Sequence, residues 1–264
     1  MFIADFDPNF ITLGFISIKW YSLAYIFGII IGTYYLSFLE KKYSLKLFSK
    51  KQLDDLIFKI VLGIILGGRM GYVLFYNLPY YFANPIEALF LWQGGMSFHG
   101  GLIGLTLAVY MHSRKERNGF LRNMDFLACA TPIGLLLGRA ANFVNGELYG
   151  KVTDAKYGVI FPRGGRLPRH PSQLYEATLE GLVTFLILLY LVRIKSIREQ
   201  AGRLAASFMI CYGVSRIIIE FFRIPDQQLG YFFSFVTMGQ ILSIPMILLG
   251  VYMVVKKDNY FTKF

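Results

Sequence analysis

Residues 204–223 run Leu204-Ala205-Ala206-Ser207-Phe208-Met209-Ile210-Cys211-Tyr212-Gly213-Val214-Ser215-Arg216-Ile217-Ile218-Ile219-Glu220-Phe221-Phe222-Arg223, and this stretch decides the fold class. It is about as long as the hydrocarbon core of a bilayer requires of a helix. Charge enters only in its second half, at Arg216, Glu220 and Arg223. Each such charge costs roughly 2.5–3.5 kcal/mol at the centre of a membrane helix even on a lenient scale. A chain that keeps them there uses them.

Six further apolar runs surround this one. With it they predict spans near 18–38, 54–76, 97–112, 123–141, 172–192, 204–222 and 236–255. The expected fold is therefore an all-α integral membrane protein of about seven transmembrane helices, one membrane domain over 1–264. The third run is short and glycine-rich, which suits a re-entrant or loosely wound segment covered by protein or water. Composition agrees: of 264 residues 55% are hydrophobic and 17% aromatic, and the mean hydropathy is +0.50, too apolar for an ordinary soluble domain.

The formal net charge of +11 invites a nucleic-acid reading, but its distribution excludes one. Basic residues fall in blocks between apolar runs: Lys41, Lys42, Lys46, Lys50 and Lys51; Arg114, Lys115, Arg117 and Arg122; Arg193, Lys195, Arg198 and Arg203; Lys256, Lys257 and Lys263. Segments 1–18 and 77–96 carry none. The positive-inside rule then gives N-terminus out and C-terminus in. The first helix is expected to be retained, since Asp5 and Asp7 replace the basic start of a signal peptide. One outer loop, 142–171, breaks the charge rule with Lys151, Lys156, Arg163, Arg166 and Arg169. Its Gly164-Gly165, Pro162 and Pro168 point to turns, hence a small extracytoplasmic head.

With that topology, the outer ends of several helices collect polar residues at one level. Arg69, Arg139, Arg216, Glu220 and Arg223 end outward-running helices; Tyr21, His99, Gln173, Tyr175 and Glu176 open inward-running ones. Arg216 and Glu220, spaced i, i+4, can neutralise each other on one face, and Arg223 can snorkel to the interface. One carboxylate does not balance three or four arginines, so the surplus implies an anion, and guanidinium geometry suits phosphate. Glu176 and Glu180, one turn apart, are alternative counter-ions. His99 sits among Gly95, Gly100, Gly101 and Gly104, where small residues permit either close helix packing or close approach of a ligand. Cys129 and Cys211 lie apart in apolar runs and read as core. The three histidines have no zinc-site spacing, no GxSxG elbow occurs, and neither a metal nor another cofactor is expected.

The run Gly138-Arg139-Ala140-Ala141-Asn142-Phe143-Val144-Asn145-Gly146-Glu147-Leu148-Tyr149-Gly150 closely resembles the signature of the bacterial prolipoprotein diacylglyceryl transferase family. Residues 95–104, 169–176, 212–223 and 238–243 agree with the same family. The resemblance implies transfer of the diacylglyceryl group of phosphatidylglycerol to the lipobox cysteine thiol of a preprolipoprotein signal peptide, with glycerol 1-phosphate leaving. It implies a multi-pass protein of the bacterial plasma (inner) membrane, its site facing the outer leaflet, with membrane lipid as its surroundings and no nucleic acid partner. Carried onto matching positions, its essential residues are His99, Arg139, Asn142, Glu147, Gly150, Tyr21, Tyr212, Arg216 and Glu220. On this basis His99, Arg139, Arg216 and Glu220 are expected to be catalytic. Tyr21, Arg69, Arg139, Asn142, Glu147, Gly150, Tyr212 and Arg216 are expected to bind phosphatidylglycerol. Arg139 and Arg216 would hold the phosphate, and His99, as base or positioning group, would serve the thiol. The 151–168 loop is shorter than in some relatives. A transporter or channel for an anionic solute is the alternative, since membrane arginines also line anion pathways.

Overall fold

A computed structural model describes residues 2–13, 16–45, 47–115, 119–224, 231–232 and 236–256. Lys46, Arg117, Lys257 and Lys263, counted in the charge pattern above, lie outside these. The helices run in order α1 (Trp20–Tyr43), α2 (Lys50–Phe75), α3 (Leu78–Ala83), α4 (Phe98–Lys115), α5 (Phe120–Val144), α6 (Ser172–Glu176), α7 (Thr184–Leu191), α8 (Lys195–Arg198), α9 (Arg203–Glu220) and α10 (Met238–Val255). A π-helical stretch, Ala177–Val183, joins α6 to α7. Short strands complete the described residues: β1 (Phe2–Ile3), β2 (Asn9–Leu13), β3 (Ile16–Lys19), β4 (Val159–Ile160), β5 (Tyr231–Phe232) and β6 (Val236–Thr237).

The protein is a helical membrane protein, and among the described residues five helices are long and apolar enough to cross a bilayer. These are Trp20–Tyr43, Lys50–Phe75, Phe120–Val144, Ser172–Leu191 and Met238–Val255. Length and composition thus mark five of the seven expected spans among the described residues. The other two runs do form helices, but α4 ends in His112, Arg114 and Lys115. Helix α9 carries Arg203, Arg216 and Glu220 within 18 residues, and those charges depress its hydropathy.

The chain divides into two compact units. One spans Ser37–Met124 and is built on the pairing of α2 with α4. Gly63 and Gly67 of α2 meet Gly104 of α4, while Gly100 meets Gly67 and Gly71. A β-carbon at Gly104 would fall on the Gly63 carbonyl, so the backbones touch where any other residue would hold them apart. The Ser97 amide donates to the Gly68 carbonyl at 2.8 Å, tying the start of α4 to α2. Ser49 and Gln52 close a reciprocal capping box at the start of α2.

The second unit holds the residues up to Leu36 and those from Asp125 onward. The buried carboxylate of Asp125 accepts from the amides of Gly202 (2.6 Å) and Ala205 (2.8 Å), so it caps α9 from another helix. The 142–171 segment folds on itself. β1 pairs in parallel with β4, Phe2 opposite Val159, and Ala4, Val159 and Phe161 form a small core with Phe143 and Tyr149. Three of the head's five basic residues bond backbone carbonyls. Arg163 donates to the Asn145 carbonyl at 3.0 Å, Arg169 to the Gly164 carbonyl at 3.1 Å, and Lys151 to the Phe221 carbonyl at 2.9 Å.

Substituting Gly104→Ala should lower stability by roughly 1–3 kcal/mol through overpacking, read as a drop in Tm of the detergent-solubilised protein. Gly101→Ala, where the new carbon would meet only ordinary contacts with Ile64, should leave Tm nearly unchanged. Equal Tm values for the two variants would contradict the seam.

Candidate active site

Three helical elements of the second unit bring their charges to one point. On α9, Arg216, Glu220 and Arg223 are spaced i, i+4, i+7 and so share a face; Arg223 lies just past the last helical residue. On α6 and the π-helical stretch, Glu176 and Glu180 are both fully buried. From α5 comes Arg139.

Glu176 is the centre. Its Oε1 accepts from Arg216 at 2.8 Å and from Arg223, and its Oε2 lies 3.3 Å from Arg139. Glu180 accepts from Arg139 at 3.3 Å, and its other oxygen lies 3.7 Å from Arg216. Glu220 takes Arg216 at 2.6 Å and stands 4.0 Å from the Arg223 Nε. Three arginines therefore face three glutamates, and the formal charge of the group is zero. This corrects the expected surplus of positive charge. Glu176 and Glu180, weighed as counter-ions, balance what Glu220 alone does not. Arg223 is corrected as well: it is buried and paired rather than snorkelling.

Accessibility orders the cluster. The side chains of Arg139 and Arg216 keep 17% and 15% exposure, against none for Glu176 and Glu180. The accessible part of the cluster is thus arginine side chain, with the carboxylates sealed beneath. On Glu220's far side, a β-carbon at Gly239 of α10 would press on the Glu220 carboxyl carbon at 2.7 Å and the Arg216 Nε at 3.2 Å. The absence of a side chain there lets α10 close over the pair.

The signature run builds the rim. Asn142, one turn beyond Arg139 on α5, is buried, and its side-chain oxygen has no protein hydrogen-bond partner. A tight turn follows, with Gly146 and Leu148 at φ +62° and +57°; a leucine in that region is uncommon and must be held there. Gln173 and Ser172 hold it, donating to the carbonyls of Glu147 (2.6 Å) and Leu148 (3.0 Å). The Glu147 carboxylate accepts from Asn145 at 3.2 Å. Gly150 acts through its backbone, donating to the His170 carbonyl at 2.9 Å and bridging to Arg223. Tyr21 donates to or accepts from Tyr25 at 2.6 Å and lies within electrostatic range of Glu147 and Arg139. Tyr212, one turn before Arg216, lies in range of Glu176, Glu180 and both arginines.

Two expected site residues belong to the first unit. His99 is exposed in the first turn of α4. Arg69 is buried and committed elsewhere than expected. Its Nε donates to the Ala88 carbonyl (2.8 Å), one terminal nitrogen to Glu87 (2.7 Å) and Phe90 (3.1 Å), and the other to Gly95 (3.2 Å) and Gly94. The Tyr81 ring lies 5.2 Å from its guanidinium. Five carbonyls occupy a group with five N–H donors, so Arg69 organises the 87–95 loop. Its sequence position could not reveal this, because backbone acceptors leave no pattern.

Spanning helices around a buried, neutral and partly accessible ion cluster define a membrane protein with a polar centre suited to an anionic substrate. The family model described as prolipoprotein diacylglyceryl transferase matches residues 8–256, and the chain belongs to that family. Proteins named phosphatidylglycerol–prolipoprotein diacylglyceryl transferase are similar along nearly their whole length. The one from Rhodospirillum rubrum is 50% identical over 246 residues, 93% of this chain and 90% of the relative. Azospirillum brasilense has one 51% identical over 250 residues, 94% and 93%, and Rickettsia rickettsii (strain Sheila Smith) one 47% identical over 258, 98% and 99%.

Replacing Glu176→Gln removes the anion shared by three cations in a buried place. The loss should be about 3–5 kcal/mol, visible as a large fall in Tm or as protease sensitivity of the folded protein. An unchanged Tm would mean that Glu176 is not the centre of the cluster.

Proposed function

We propose that this protein transfers the sn-1,2-diacylglyceryl group from phosphatidylglycerol to the lipobox cysteine thiol of a preprolipoprotein, the reaction in the names of its relatives. The lipobox sulfur bonds to the glyceryl carbon next to the phosphate oxygen. The carbon–oxygen bond breaks with its electron pair staying on the phosphate, and glycerol 1-phosphate departs. The thiol proton passes, by way of His99, to the leaving phosphate or to solvent.

The observation that carries this reading is the pair of guanidinium edges from Arg139 and Arg216, held together by shared buried carboxylates while remaining accessible. A phosphodiester fits two such edges through parallel hydrogen bonds. Donors aimed at the oxygen where charge develops lower the barrier to its departure. Glu220 fixes Arg216 in that orientation. Asn142 and Glu147 bind the glycerol hydroxyls, Tyr21 and Tyr212 bound the head-group space, and Gly150 holds the rim. We assign His99 to the thiol proton, directly or through water. The acceptor supplies the nucleophile, so Cys129 and Cys211 are dispensable.

We place the enzyme in the bacterial plasma membrane with α4 and α9 crossing in addition to the five longer helices, the N-terminus out and the C-terminus in. Lys41, Lys42, Arg114, Lys115, Arg193, Lys195, Arg198 and Lys256 then stand on the cytoplasmic side. Of the head's five cations, Lys151, Arg163 and Arg169 are engaged with backbone carbonyls, which weakens their opposition to this orientation. The site faces the outer leaflet, where lipid and secreted acceptor meet.

Purified protein reconstituted with phosphatidylglycerol and a lipobox peptide should form a thioether and release glycerol phosphate in equal amounts. Failure to form either product would overturn the proposal. Arg139→Lys keeps the charge but not the planar fork, and should lower kcat/KM by about tenfold or more; wild-type turnover would remove the clamp. The double variant Cys129→Ala, Cys211→Ala should retain transfer, and its loss in a folded protein would contradict an acceptor-borne nucleophile.

A further inference from the structure

We propose that binding of the anionic phosphodiester to Arg139 and Arg216 is coupled to uptake of one proton by Glu180. The inference rests on the reading of this site as a phosphatidylglycerol site and adds a role that the reading does not contain.

The argument begins with charge. The cluster of Arg139, Arg216, Arg223, Glu176, Glu180 and Glu220 is neutral as it stands. A phosphodiester brings one negative charge into a buried layer where uncompensated charge is strongly disfavoured. Something must restore the balance, and a proton on one carboxylate does so without moving a helix.

Geometry selects the carboxylate. Glu176 is shared by three arginines, and Glu220 has Arg223 in addition to Arg216. Arg223 is the most buried of the three cations and stays with those two when a ligand engages the others. Among the described residues the ion pairs of Glu180 are with Arg139 and Arg216, the two that a phosphodiester recruits. Glu176 and Glu180 each keep one buried oxygen without a hydrogen-bond partner, so the choice between them rests on which arginines a ligand recruits. The groups facing Glu180 are Arg139 from α5, Tyr212 and Arg216 from α9, and Glu176 on its own helix. With both arginines turned to the phosphate, Glu180 is left beside the like charge of Glu176 in a place without solvent. A proton then converts it to a neutral acid. Its release when glycerol phosphate departs returns the cluster to its starting state.

Linkage fixes the sign. If the complex binds one more proton than its separate components, affinity rises as pH falls. The change is about tenfold per pH unit in the interval where free protein holds Glu180 ionised and the complex holds it protonated.

The test is titration calorimetry of the full-length, detergent-solubilised protein with dihexanoyl phosphatidylglycerol, in two buffers of equal pH and different ionisation enthalpy. The wild type should take up about one proton per lipid bound, by the same linkage. Glu180→Gln should bind the lipid with no uptake and with affinity flat across pH. Lipid binding by the wild type without proton uptake at any pH would overturn the proposal and leave the phosphate site standing. Undiminished uptake by Glu180→Gln would do the same. No lipid binding at any pH would remove the phosphate site itself, and the proposal with it. Should Glu180→Gln fold poorly, an infrared difference spectrum of the wild type decides: a protonated-carboxyl band that appears on lipid binding is expected, and its absence overturns the coupling.

Discussion

The carboxylate of Glu176 is the constraint on which the rest depends. It is fully buried, and it gathers Arg139 of α5 with Arg216 and Arg223 of α9. Two helices distant in sequence are thereby held in one register at the level of the site. Buried ion pairs are poor sources of stability, because desolvation consumes most of what Coulomb attraction returns. Their retention points to specificity of arrangement instead. A neutral group of six charges also eases the folding problem: helices that would each carry an expensive charge through the bilayer settle as a compensated set.

A π-helical stretch lies between the two buried acids and continues past them. In a regular helix Glu176 and Glu180 would lie one above the other, about a turn apart. Here Ala177–Val183 is widened, a feature that recurs at functional sites. Both acids are fully buried and within reach of the same two arginines. Gly181 of this stretch lets Leu136 of α5 come close, since a β-carbon there would meet the Leu136 backbone at 2.9 Å or less. The approach of α5 that seats Arg139 is thus prepared less than one turn away.

The sequence discloses the parts of this site that follow helical periodicity. Arg216 and Glu220 at i, i+4 and the Glu176–Glu180 spacing were legible because side chains on one helix face must meet. The five longest apolar runs were legible because bilayer thickness dictates their length. What stayed hidden depends on backbone. Arg69 has the same local signature as Arg139, a cation late in an apolar run beside glycine, yet five carbonyls of the 87–95 loop claim it. The Asp125 cap on α9 joins residues about eighty positions apart. Pairing of β1 with β4 likewise has no local pattern that would announce it.

Charge neutrality changes what the cluster can do, beyond how it is held. A permanently cationic pocket would bind any anion and release it slowly, which serves capture better than turnover. A balanced cluster offers its guanidinium edges only in exchange for contacts it already makes, so binding becomes a substitution of one acceptor for another. In the proposed reaction the difference between carboxylate and phosphodiester as partners for Arg139 and Arg216 is then small, and the product can leave. Under the same proposal selectivity comes from the surroundings: the buried, unpartnered oxygen of Asn142, the turn at Gly146–Leu148 and the Gly239 contact that leaves no room behind Glu220. Transfer chemistry asks for this combination, because the same phosphate must be held firmly while its carbon–oxygen bond breaks and loosely once it has departed.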